Sequence, residues 1–286
     1  MHSKDAFPRK MPGSSARFSR PLKLEGWTAL VTGASSGIGK VFARQLAAEG
    51  VNLILVARSE AKLQTLAAEL KKAHGIAAHV FVSDLSFHEA PRRLFESIEK
   101  SKLAVDLLIN NAGVGRFGYF EDATVEADEA ILAVNINALV ALTHLFIPGM
   151  LVRKKGGILN VASTAGFQPI PFLSLYSATK AFVISFTEAL NYEYESRGLR
   201  VMTLCPGNTN TDFHRVAAME KRKIQMVATP EDVVRYGLNV FKNTRRATAV
   251  YGFLNKMGTQ AIRFVPRSWV TNVTGILFRP QQKPQN

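Results

Sequence analysis

The sequence predicts an α/β domain: one doubly wound parallel β-sheet with helices on both faces. Apolar strand-like runs alternate with amphipathic helical runs along most of its 286 residues, the pattern of a sheet buried on both sides. A glycine-rich turn, TGASSGIG, lies between the first such strand and the first helix, where backbone N–H groups and the helix dipole can hold a pyrophosphate. The third sign is positional. Arg58, Asp84, Asn110, Ser163 and Thr211 all fall just beyond strand ends, the edge at which such folds collect ligands.

In WTALVTGASSGIGKVFARQLAAEG a buried strand enters the turn, and Val41, Phe42 and Leu46 mark the apolar face of the helix that leaves it. Gly33, Gly37 and Gly39 allow a tight turn and close approach to a ligand, and Ser35, Ser36 and Ile38 complete the candidate cradle. The second unit, VNLILVARSEAKLQTLAAELKKA, carries Leu63, Leu66 and Leu70 on one helical face. Where a ribose-binding acid would stand in an NAD protein, this chain has Ala57, Arg58 and Ser59, which suits the extra phosphate of NADP. A third strand ends near Asp84 and Leu85; the carboxylate either meets an adenine or caps the helix starting near His88. VDLLINNAGVG ends a fourth strand in Asn110, Asn111, Ala112 and Gly113, small and amide-bearing residues suited to a nucleotide wall or to an ordinary turn. A long helix from about Val125 to Val152 follows and carries Asn135 among apolar neighbours. That buried amide needs partners, at a backbone kink and water or within the helical layer.

GGILNVASTAG reads as a strand running into Ser163, and YSATK places Tyr176 and Lys180 one helical turn apart on a shared face. A cation beside a phenol favours the phenolate, so the pair is a candidate acid/base unit; a solvated helix face is the plainer alternative. LRVMTLCPGNTNTDF then gives a sixth strand ending at Pro206 and Gly207, with Thr209 and Thr211 after it. Residues 209–229 are expected to form a substrate loop, Thr229 and Pro230 to start a helix, and RRATAVYG to be a last strand. Phe167 and Phe213 are candidate substrate contacts, and Tyr119, Phe120, Pro169 and Phe172 extend the apolar set.

At 47% apolar residues the chain can bury a full core. Its single cysteine, Cys205, ends an apolar strand; this fits a reducing, cytoplasmic compartment and a buried thiol. The six histidines form no metal-ligand cluster. The net charge of +14 sits at the ends: residues 1–24 hold six Lys/Arg against one acid, and 213–286 hold thirteen against three. Residues 1–24 read as a flexible basic extension without a secretory apolar stretch, and 25–252 as the catalytic domain. Residues 253–286 form a cationic amphipathic extension, divided by Pro266 and too interrupted to span a bilayer. It can lie on an anionic membrane surface, pack over the substrate mouth or meet a second subunit. No nucleic-acid-binding motif is present.

TGASSGIG, NNAG, Asn135, Ser163, YSATK and PGNTNT stand in this order over residues 25–252, and the chain thereby resembles the short-chain dehydrogenase/reductase family. The resemblance implies a Rossmann-like sheet of about seven strands, usually in a homodimer or homotetramer, and hydride transfer between a nicotinamide and a carbonyl or secondary alcohol. It implies that Tyr176 is the general acid/base, that Ser163 binds the substrate oxygen, that Lys180 holds the ribose and lowers the Tyr176 pKa, and that Asn135 positions a water. Arg58 goes with NADP(H) and Asp84 with the adenine, although the basic residue some NADP-dependent members carry before the second glycine is Ser36 here. A lipophilic substrate (3-oxoacyl, long-chain ketone or steroid-like) is expected. A non-catalytic NADP-binding regulator or membrane-surface scaffold is the alternative.

Overall fold

The computed structural model describes residues 21–210 and 228–280. Seven parallel strands form one sheet in the order β3-β2-β1-β4-β5-β6-β7: β1 (Thr28–Thr32), β2 (Asn52–Ala57), β3 (Ala78–Val82), β4 (Leu107–Asn110), β5 (Gly157–Val161), β6 (Arg200–Cys205) and β7 (Thr248–Val250). Helices α1 (Gly37–Ala48), α2 (Glu60–His74), α3 (Ala90–Lys100), α4 (Val125–Leu132), α5 (Ala138–Val152), α6 (Ser174–Glu195) and α7 (Pro230–Asn243) connect them. Because β1 pairs with β2 on one side and β4 on the other, the winding reverses between β1 and β4. That reversal opens a crevice at their carboxyl ends.

Successive strand residues face opposite layers. Ala29, Val31, Leu53 and Leu55 pack with Phe42, Leu46, Leu63 and Phe241, while Leu30, Ile54, Val56 and Leu108 pack with Leu94, Leu142, Phe146 and Met150. The helix faces read from the sequence, including Val41, Leu66 and Leu70, are buried as expected. Thr229 caps α7, its hydroxyl accepting from the Asp232 N–H at 3.2 Å.

A polar seam crosses the centre of this apolar sheet. Asn110 Nδ2 donates to Asn160 Oδ1 at 2.9 Å and to Thr143 Oγ1 at 3.1 Å, and Asn160 Nδ2 donates to Thr187 Oγ1 at 2.9 Å. Pairing satisfies the amide nitrogens of both residues, while among the described residues Asn110 Oδ1 is buried without a partner; the seam ties β4, β5 and α6 together immediately below the crevice.

The expected helix over Val125–Val152 contains one turn of π-helix, Ala133–Asn137, between α4 and α5. It is long and apolar enough to cross a membrane, yet Ala138, Leu142, Phe146 and Met150 cover the sheet, so it serves as a core helix. The segment after β7 folds as α8 (Phe253–Ala261), a 3₁₀ turn over Ile262–Phe264, and α9 (Arg267–Phe278), broken at Pro266 as expected.

Candidate active site

Four chain segments meet above the crevice, and short contacts fix their relation. The hydroxyl of Thr32, at the end of β1, accepts from the N–H groups of Asn111 and Ala112, each at 3.0 Å, and Asn111 Nδ2 donates to the Thr32 carbonyl at 2.9 Å. Asn111 therefore staples β1 to β4 through its side-chain Nδ2. A Cβ on Gly33 would stand 2.9 Å from that amide, and one on Gly39 would strike the Gly33 carbonyl. Both glycines are required by the protein's own packing, a reason beyond the ligand approach that the sequence suggests. Gly37 answers to the turn itself, at φ +52.

α1 begins at Ser36 with no side-chain cap and no acid in its first turn, so its N-terminal dipole end suits an anion. Ser35, Ser36, Gly37 and Ile38 are partly exposed beside it. Arg58 is 71% exposed at the end of β2, 4.0 Å from Asp84 Oδ2, and Ser59 starts α2 without using its hydroxyl as a cap. Glycine turn, uncapped helix end and exposed guanidinium together fit a dinucleotide with an additional phosphate.

Two expectations at β3 need correction. Asp84 does not cap α3, whose N-cap is Glu89; its Oδ1 accepts from the Ser86 N–H at 3.0 Å and hydroxyl at 2.8 Å, an Asx-type turn. The Leu85 side chain is buried in the core, which leaves the backbone as the part of Leu85 that a cofactor could meet.

The π-turn places Asn135 inward. Its Oδ1 accepts from the Val114 N–H at 2.9 Å, and its Nδ2 donates to the Val114 carbonyl at 2.9 Å and to Thr179 Oγ1 at 3.0 Å. Thr179 in turn donates to the Tyr176 carbonyl at 2.8 Å, so the amide ties the NNAG loop to α6. A Cβ on Gly113 would lie 3.3 Å from Lys180 Nζ and 3.5 Å from Asn135 Oδ1, which brings NNAG, Asn135 and Lys180 to one place.

Ser163 follows β5 in extended backbone and accepts from the Ala165 N–H at 3.1 Å. The next residue donates to the Pro206 carbonyl at 2.9 Å, linking the serine loop to the end of β6. A Cβ on Gly166 would stand 2.6 Å from the backbone carbon of Lys180, so the serine turn rests directly on α6. The only mark of this contact in the sequence is a glycine three residues after the candidate serine.

Ser163 hydrogen-bonds the partly buried Tyr176 phenol. Lys180 is buried, its Nζ donating to the Val161 carbonyl at 2.9 Å and lying 5.7 Å from the centroid of the Tyr176 ring. The expected depression of the Tyr176 pKa by Lys180 is not what this environment produces. Burial pushes the phenol up to about 12, against the smaller downward pull of the Ser163 bond, and burial brings the Lys180 ammonium down to about 8. Desolvation dominates because it penalises both charged forms, the phenolate and the ammonium. At neutral pH the site therefore holds a protonated phenol and an ammonium, able to give a proton to a developing alkoxide.

Ile170 and Leu173 form an apolar cluster with Phe117, Tyr176 and Phe278. Tyr119 and Phe172 meet edge to face at 5.1 Å. Phe167 instead packs on the cluster of Leu139, Val183, Cys205 and Val250. Ile170, Leu173 and Phe278 escaped the sequence reading, which weighed aromatics near Ser163 and treated the C-terminal segment separately. Pro206 is buried, Gly207 lies under Asn255 of α8, and Thr209 is buried with its hydroxyl donating to the Gly207 carbonyl at 3.1 Å. Among the described residues neither amide end of the buried Asn208 side chain has a hydrogen-bond partner, consistent with a polar ligand at this loop. A bridge between Thr209 and Ala228 closes the neck of the loop; Thr211 and Phe213 lie outside the described residues. Among the described residues no His, Cys, Asp and Glu cluster could hold a metal ion.

Sheet order, glycine turn and the Ser163–Tyr176–Lys180 group define a nucleotide-binding α/β oxidoreductase acting on CH–OH or C=O groups. The family model for short chain dehydrogenases matches residues 27–222, and the chain belongs to that family. It is 37% identical over 219 residues to a very-long-chain 3-oxoacyl-CoA reductase from Anas platyrhynchos, covering 74% of this chain and 67% of that one. It is 32% identical over 234 residues to the inactive hydroxysteroid dehydrogenase-like protein 1 of Homo sapiens, covering 80% and 70%. A solved short-chain dehydrogenase from Sphingobium yanoikuyae in complex with NADPH superposes with a TM-score of 0.76 at 29% identity, covering 91% of this chain and 98% of that one.

Proposed function

We propose that this protein is an NADP(H)-dependent reductase of lipophilic carbonyl compounds, of the 3-oxoacyl, long-chain ketone or steroid-like kind. The observation that carries the reading is the placement of the Tyr176 phenol, bonded to Ser163 and set against the apolar side chains of Ile170, Leu173 and Phe278. The crevice would hold the nicotinamide, whose chemistry when bound would be hydride transfer. Ser163 and Tyr176 hold the substrate oxygen, Tyr176 gives its proton to that oxygen as charge develops on it, and the Lys180 ammonium steadies the phenolate left behind. Lys180 also holds the ribose. Asn135 is a positioning residue, acting through Thr179 and Val114 and fixing a water on the path from Lys180 to solvent. Gly33, Ser35, Ser36, Gly37, Ile38 and Gly39 hold the pyrophosphate, Arg58 and Ser59 the additional phosphate, Asp84 the adenine, and Ala112, Gly113, Pro206, Gly207 and Thr209 the nicotinamide half. Like its relatives, the chain is proposed to work as a homo-oligomer.

The name of the human relative makes a non-catalytic nucleotide-binding protein the second reading. The Ser163 bond to the Tyr176 phenol, with the Lys180 ammonium 5.7 Å from the centre of that ring, favours turnover. Ketones and 3-oxoacyl thioesters of graded chain length, followed by NADPH absorbance, test the choice: rates rising with chain length support the reductase, and NADPH binding without oxidation of any of them supports the alternative.

Arg58→Asp tests the cofactor. The exchange removes a charge-assisted phosphate contact and sets a second carboxylate near Asp84. The ratio of kcat/KM for NADPH over NADH is expected to fall about 10- to 100-fold. An unchanged ratio would remove Arg58 from the phosphate site.

A further inference from the structure

From Phe253 to Pro280 the usual rule of burial is inverted. Thr259 and Thr274 are the residues this segment buries, while Phe253, Leu254, Met257, Phe264, Trp269 and Ile276 are 55–88% exposed. The inward attachment combines a polar contact, Thr274 Oγ1 donating to the Pro169 carbonyl at 2.9 Å, with the packing of Phe278 on Ile170 and Leu173. In α8, Phe253, Leu254 and Met257 share one side, and in α9 Trp269 and Ile276 lie two turns apart on one stripe. Single exposed hydrophobic residues need no explanation, but this many on two successive short helices mark a contact surface.

Charge identifies what it contacts. Lys256, Arg263, Arg267 and Arg279 accompany the apolar residues, and the segment contains no acid. A second copy meeting this face symmetrically would double the cations with no carboxylate from either segment to offset them. An anionic lipid layer supplies both the apolar interior and the opposite charge, and an exposed tryptophan beside arginines is the composition of helices that lie in the membrane interface.

We propose that α8 and α9 dock this protein on the surface of an anionic lipid bilayer, with Phe264, Trp269 and Ile276 entering the headgroup boundary. The attachment is peripheral. Phe278 of the same segment packs in the cluster that contains Tyr176, so docking sets the active-site cleft beside the membrane, where an apolar substrate is concentrated. The docking itself does not depend on the reductase reading.

The test uses the full purified chain with vesicles of phosphatidylcholine alone or mixed with phosphatidylglycerol. Co-sedimentation is expected with the mixed vesicles, weakened at about 0.5 M salt as the headgroup charge is screened. The chain has two tryptophans, of which Trp27 is buried and Trp269 is 67% exposed. A blue shift of emission on binding that disappears in Trp269→Phe would place this segment in the interface. Phe264→Glu combined with Ile276→Glu should weaken vesicle binding at least about tenfold and leave turnover of a short, water-soluble ketone unchanged. That second readout separates failure of docking from failure of the reductase assignment. Three results overturn the proposal: no binding of the unmodified protein to anionic vesicles, equal binding by the double variant (which assigns the attraction to other basic stretches), or an oligomer that the double variant splits without any vesicle binding (which makes the face a contact between copies).

Discussion

Tyr176→Phe is expected to lower kcat for carbonyl reduction by about two to four orders of magnitude while NADPH affinity changes less than about threefold. The basis is the one atom removed. The phenylalanine ring keeps its packing against Ile170 and Leu173, and the cradle at Gly33–Gly39 is untouched, but no group remains to give a proton to the substrate oxygen. Ser163 keeps one hydrogen bond to that oxygen, so a residual rate above background is expected. Stopped-flow NADPH oxidation together with fluorescence titration of the cofactor measures both quantities. Loss of nucleotide binding with chemistry preserved would overturn the assignment.

Lys180→Met is expected to act in opposite directions on activity and stability. On the proposed mechanism turnover should collapse, since no ammonium would hold the ribose or steady the phenolate. Stability at neutral pH should rise, because the folded protein lowers the Lys180 pKa from 10.5 to about 8 by burial. The sign follows from proton counts. Below about pH 8 both folded and unfolded chains hold the proton, and the folded state bears the whole cost of the buried charge. Between about 8 and 10.5 the folded chain releases its proton while the unfolded chain keeps it, so stability rises with pH. Above that range the cost is gone. The cost is on the order of 3 kcal/mol, and losing the bond to the Val161 carbonyl offsets about 1 kcal/mol of the gain. Urea unfolding of both proteins at pH 7 and pH 10.5 should show the variant more stable at the lower pH and the difference shrinking at the higher. Cys205 and Tyr176, whose pKa values burial raises to about 12, destabilise the fold progressively above pH 9 to 10, but they are common to both proteins and largely cancel. A variant less stable than the parent at pH 7 would show that Lys180 is not strained by its burial.

Much of this organisation was legible in the sequence, because the fold is written in periodicities that local chemistry enforces. Strands buried on both faces must be continuous apolar runs, and α1 and α2 must show their leucines and phenylalanines at helical spacing. Residues whose role depends on partners distant in the chain were not legible. Leu85 and Asp84 are neighbours in sequence, yet one turns into the core and the other into the loop of Ser86. Asn160 looks like an ordinary strand residue until Asn110 and Thr187 meet it across the sheet. The pKa expectation failed for a related reason: spacing shows that a lysine can approach a tyrosine, but desolvation depends on everything packed around the pair. The C-terminal segment was recognised as amphipathic, while which of its faces meets the protein required the three-dimensional arrangement.

The contact between Gly166 and the Lys180 peptide has a mechanical consequence. With no side chain between the serine turn and α6, these two parts of the proton-delivery apparatus cannot drift apart by degrees. A tilt of the helix carries the turn along, and a substitution at residue 166 would push both at once. Heat should therefore stop this enzyme at the temperature at which the whole domain melts, with no earlier stage in which an intact but slackened cleft has already lost its alignment.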